Sequence, residues 1–198
     1  MEQPEGKVGI LFELGKAQRN RDDWPDYLQY GFDEGDVDDL LALVTDSSLH
    51  KASAGSNEVW VPLHAWRTLG QLGNPRAIEP MIRMFNPLCD DDWALEELPR
   101  AVAMIGRGAI GQLTNFMGDS SNDEFAREMA VSALEEIAVR DPSAREEVVA
   151  IVTDYLEAPD ETATGFNGSA VSTLITLQAQ ESIDTLRRLY ASGNVDIF

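Results

Sequence analysis

The chain has 198 residues, 43% apolar and 25% charged, which is enough to bury a core within one domain or one continuous array. Its 35 acidic residues against 15 basic ones leave a net charge of −20, which disfavours nucleic acid and anionic membrane, since both require neutralising Lys and Arg. No apolar run approaches the ~20 residues of a membrane span, the start MEQPEGKVGILFELGK lacks the pattern of a secretory leader, and the single cysteine, Cys89, excludes an internal disulfide and a thiolate-rich zinc site. A cytoplasmic protein is expected.

In chain order, residues 1–57 read as an N-terminal helical cap and loop. Lys7 to Gln18 is predicted as a short helix with Val8, Leu11, Phe12 and Leu14 inward, weakened by Gly9 and Gly15. Asp22-Asp23-Trp24-Pro25 starts a second short segment in which Trp24, Tyr27 and Leu28 can pack, and Gly31 ends it. Asp33 to Val44 is a clearer helix, its stripe formed by Val37, Leu40, Leu41 and Val44. The Ser/Ala/Gly-rich stretch Ser47 to Asn57 reads as a mobile loop.

Residues 58–89 form the unit on which the rest is patterned. Val61, Ala65, Thr68, Leu69 and Leu72 fall at helical spacing. Asn74-Pro75 then supplies a new start, Asn as cap and Pro at the first helical position, where its missing N–H costs nothing. The second helix places Ala77, Ile78, Met81, Ile82 and Phe85 on one face and stops at Asn86-Pro87, with Pro80 tolerated in the first turn. Neither helix can bury its stripe alone, so such units stack.

Altered copies follow in residues 90–120, 121–160 and 161–198. A shift of 105 lays Ala170, Thr173, Leu174 and Leu177 on Ala65, Thr68, Leu69 and Leu72; a shift of 65 lays Phe125, Ala130, Ala133 and Leu134 on Trp60, Ala65, Thr68 and Leu69. A shift of 36 lays Ala101, Met104, Ile105 and Gly106 on Ala65, Thr68, Leu69 and Gly70. Pro99 is expected to kink its helix or displace its start. Ser121-Asn122-Asp123-Glu124 has the capping-box pattern, Asp141-Pro142 starts a further second helix, and Glu157 to Gly168 reads as an acidic linker. The last copy runs to about Tyr190, followed by a tail with Val195, Ile197 and Phe198. The expected fold is therefore all-α, an α-solenoid of about four to five helix pairs with periods near 30 to 40 residues.

The segment HAWRTLGQLGNPRAIEPMI resembles the short HEAT-like repeat of phycobilisome bilin lyases, in which an "A-LG-LG" helix precedes an "AI-P-L" helix. The resemblance covers residues 58–191. WPDYLQYGFDEGDVDDLLALVTD, VW-P-HAWR and DDW-LEELP also resemble an uncharacterised bacterial group of HEAT-repeat proteins. It implies an armadillo-like array, and leaves scaffold, inhibitor, adaptor and lyase all open.

Candidate sites are few. The runs Asp33 to Asp39 and Asp90 to Asp92 fail the calcium-loop spacing and read as helix-start acids favoured by the macrodipole, so no metal is expected. Trp60, His64 and Arg67 stand at i, i+4 and i+7, a spacing repeated by Trp93, Glu97 and Arg100. They form either a binding strip, since Trp and Arg dominate interfaces, or rungs in which the tryptophans pack and the arginines meet acids. Phe125 in the place of Trp60 favours packing. On the second helices Glu79, Arg83 and Asn86 face outward, with Asn115, Asp184 and Arg188 as counterparts, and this row could hold a peptide. No catalytic constellation and no cofactor motif is present. The function expected is a non-enzymatic protein-interaction scaffold, with a basic protein as a fitting partner. The alternatives are a bilin-lyase-like chaperone or enzyme and an acidic DNA mimic.

Overall fold

The computed structural model describes residues 6–18 and 24–195. Among these the chain is helical, with eleven α-helices and no strand. No described helix is long and apolar enough to cross a membrane.

The N-terminal part is more broken than the sequence periodicity predicts. Helix α1 (Gly9–Glu13) ends before Gly15, whose φ of +65° is left-handed. Asp26 caps a 3₁₀ turn, Tyr27–Tyr30, which Gly31 closes. Asp33 and Asp36 bond reciprocally across the next turn, and the Lys7 ammonium reaches both carboxylates at 2.9 and 2.8 Å. This acidic run is a helix start, leading into α2 (Val37–Thr45), which buries Val37, Leu40 and Val44. The stretch expected as a mobile loop instead opens with α3 (Ser47–His50), because the Asp46 carboxylate caps Ser48 and Leu49 is buried. One leucine anchors a segment whose composition otherwise reads as loop. The expectation for Asp22-Asp23 lies outside the described residues, as do those for residues 1–5 and for Ile197 and Phe198.

From Val61 onward eight helices follow: α4 (Val61–Leu72), α5 (Ile78–Arg83), α6 (Asp92–Ile105), α7 (Ile110–Gly118), α8 (Glu124–Arg140), α9 (Arg145–Glu157), α10 (Thr164–Thr176) and α11 (Ile183–Ser192). Helices α5, α7, α9 and α11 are each entered through a three-residue 3₁₀ turn. Two of these turns have the same local cause: Asn74 and Asp141 accept the N–H two residues on, and Pro75 and Pro142 occupy the first position. Pro80 sits in the first turn of α5, where its missing donor is harmless.

Helices α2, α4, α6, α8 and α10 pack side by side in one row, and α5, α7, α9 and α11 form a second row against it. Ala77, Ile78, Met81, Ile82 and Phe85 are buried between the rows, as their period predicts. Helices α4 and α6 approach until a Cβ added at Gly70 would lie 2.9 Å from the Ala101 carbonyl oxygen. Helix α6 starts at Asp92 and runs through the buried Pro99, so its start is not displaced. Asp123 alone caps α8; the Glu124 carboxylate expected to complete a capping box instead accepts from the Phe166 N–H of α10 at 2.8 Å. The acidic linker is shorter than expected, since α10 begins at Thr164. Arg76 meets Asp38, Arg107 meets Glu147 and Arg145 meets Glu181, tying second-helix starts to neighbouring units at the surface.

Candidate functional site

Trp60, His64 and Arg67 lie on α4 and its lead-in turn, and the structure turns all three toward neighbouring segments. Trp60 meets Trp93 of α6 edge to face, with ring centroids 5.1 Å apart. Two turns further, Arg67 is 1% exposed and forms a two-point pair with Glu97, Nε donating to Oε2 at 2.7 Å and Nη2 to Oε1. Its Nη2 also donates to the Gln18 carbonyl at 3.1 Å. Trp24 lies beside both Arg67 and Arg100, whose guanidinium carbons are 5.1 and 4.7 Å from its ring. Of the two readings of this spacing, the contacts seen are those of rungs between α4, α6 and the N-terminal segment.

His64 belongs to the same cluster. Its Nε2 donates to the Gly15 carbonyl at 2.8 Å, so Nδ1 accepts from the Tyr27 hydroxyl at 2.7 Å. Burial, with the Arg67 cation nearby, holds the imidazolium pKa down to about 4, and the ring is neutral at pH 7. A neutral, doubly bonded imidazole in such a seam fixes the N-terminal segment and has no free nitrogen for a substrate.

The second-helix row is dispersed. Glu79 and Arg83 pair with each other on the surface of α5, and Arg188 pairs with Glu157 at 2.8 Å. Asn86 bridges to Asn122 and to the Asp123 N–H. None of these lines the clefts described here.

Two open clefts lie on the other row. Helix α8 is buried on most sides, but Phe125, Glu128, Ser132, Glu135 and Val139, at successive spacings of 3 and 4, line two clefts along it. One cleft, about 410 Å³, is walled by Leu95 of α6 and by Ser169 and Ser172 of α10. The second, about 360 Å³, shares Ser132 and Glu135 with the first and adds Glu96, Glu136 and Arg140. Phe125 and Val139 are each 57% exposed, which corrects the expectation that Phe125 packs as Trp60 does. Burial pushes the Glu128 carboxyl above its usual range, although the Ser169 hydroxyl bonds to it. The sequence signal for this site is two large apolar residues lying off the α8 core stripe of Ala126, Ala130, Ala133 and Ile137.

A second buried arginine had no sequence signal. Arg127 donates to the Met117 carbonyl at 2.8 Å, to the Tyr155 hydroxyl at 3.1 Å and to Asp160 at 3.3 Å, and its guanidinium carbon lies 4.3 Å from the Phe166 ring centroid. Asn167, fully buried beside it, donates to the carbonyls of Asp160 and Asn194 and accepts from Tyr155. Asn167-Gly168-Ser169 matches the glycosylation triplet, but the Asn167 side chain is buried in the folded chain. Burial, with Asp123 and Asp90 nearby, pushes the Cys89 thiol up, the reverse of an activated nucleophile. Among the described residues no group of three or more His, Cys, Asp or Glu side chains could hold a metal ion.

Comparison of the chain with protein-family models, with curated proteins and with solved structures gave no match.

Proposed function

We propose that the chain is an α-solenoid of HEAT-like helix pairs that serves as a non-enzymatic interaction scaffold, and that its partner is a basic protein segment lying along α8. The alternation of helices between two rows and the 3₁₀ turn that recurs before each second helix support the solenoid reading. The observation that carries the functional reading is the α8 stripe, apolar at both ends and acidic between, open between α6 and α10 in the first row. A helix or extended segment with apolar anchors flanking Lys or Arg complements it, the anchors supplying affinity and the charges register and encounter rate. Glu128, already partly withdrawn from water, has less hydration to lose when a cation reaches it.

The test is capture from native lysate on the purified protein, run beside a Glu128→Gln/Glu135→Gln variant and a Phe125→Ser variant. Basic proteins retained stoichiometrically by the wild type, released at moderate salt and not retained by either variant, are the expected result. Equal retention by all three proteins would remove the α8 stripe from the interaction.

A further inference from the structure

A different surface, at the junction of α3, α4 and α6, carries a second binding element. Trp60 and Trp93 stand with their rings 83° apart and together form two walls of a cavity of about 220 Å³. Trp66 and Leu63, each 3% exposed, contribute further wall, and His50 borders it. Asp91, whose Oδ1 caps α6 by accepting the Trp93 and Ala94 N–H at 2.9 and 2.8 Å, also lines it. Three of the four tryptophans of the chain are gathered here beside an acid. A corner of indole faces next to a carboxylate attracts a compact cation by ring quadrupole and by charge together. The net charge of −20 adds to the attraction for a cation.

We infer that this tryptophan corner takes the ammonium of a lysine side chain from a basic partner segment. A rounded ammonium fits walls set nearly at right angles, whereas a planar guanidinium favours stacking flat on one face. The inference rests on the reading of the chain as a binder of basic segments and gives that reading a second, separate contact.

The test is a tryptophan-fluorescence titration with an acetylated, amidated alternating Gly-Lys peptide, and with its norleucine counterpart, which keeps the stem and lacks the charge. The lysine peptide is expected to change the emission and to bind about tenfold more tightly than the norleucine peptide, a factor within the range of a partly desolvated cation–π contact. Asp91→Asn keeps a good helix cap while removing the charge. It and Trp93→Leu, each checked for unchanged helicity, are expected to weaken binding about fivefold. Equal binding of the two peptides, or none, overturns the corner. Weakening confined to Glu128→Gln/Glu135→Gln also overturns it, while leaving the α8 reading intact.

Discussion

The Arg67–Glu97 pair offers the sharpest quantitative test of what holds the first row together. Replacing Glu97 by Gln preserves shape and leaves a guanidinium that is 1% exposed without an anion. Removing one partner of a buried pair costs about 3–5 kcal/mol, because the remaining charge stays desolvated and uncompensated. For a chain of this size the thermal midpoint should fall by about 10 °C. Arg67→Met should cost a similar amount, since it orphans the Glu97 carboxylate and the Gln18 carbonyl that Arg67 also serves. The double variant Arg67→Met/Glu97→Leu should recover to within about 1 kcal/mol of the wild type, because an apolar replacement removes the desolvation penalty of both charges. Urea unfolding followed by circular dichroism measures all four proteins and gives the coupling energy directly. Single variants that each cost less than about 1 kcal/mol, or a double variant that costs the sum of both, would refute the reasoning.

Three further outcomes are expected. His64 has a folded-state pKa of about 4, below its unfolded value of 6.5, so the unfolded chain takes the proton first; the stability is present above pH 6.5 and falls as pH drops toward 4, by about 3 kcal/mol in all. Urea midpoints across that window should fall in the wild type and fall less in His64→Gln, and parallel curves would contradict the assignment. Gly70→Ala should destabilise by about 1–3 kcal/mol because its Cβ meets the α6 backbone, whereas Gly111→Ala, with open space around it, should be neutral or gain up to about 1 kcal/mol in the same assay. Asn167→Ala should cost about 2–4 kcal/mol in urea unfolding, since it strands the Asp160 and Asn194 carbonyls and the Tyr155 hydroxyl.

The sequence is most legible where a local rule decides the outcome. The apolar period of α5 and the starts at Asn74-Pro75 and Asp141-Pro142 depend on neighbours three or four residues away, and they appear where expected. The long helices are harder to read, because a helix flanked on both sides buries far more than one stripe: on α4 everything from Val61 to Gly70 is buried, His64 and Arg67 included. A polar residue there looks like surface until its partner from another segment is known. The partners of Arg127 come from α7, α9 and the turn before α10, and no spacing in the sequence announces them. The α8 site was hidden for the converse reason. Phe125 and Val139 are exposed because no neighbour covers them; the sequence shows them only as large apolar residues off the core stripe, a pattern that residues packed under a neighbouring helix would share.

The reach of Arg67 also bears on how the molecule can be taken apart. A row in which each helix meets only its neighbours can be trimmed or lengthened by whole units at either end. Here one guanidinium of α4 joins the Gln18 carbonyl and Tyr27, which precede α2 in the chain, to Glu97 of α6. Deleting the segment before α2 would thus uncover the Arg67–Glu97 pair and remove two of its other contacts. A shortened version that starts at α2 should therefore be less stable than loss of one short terminal helix alone would make it.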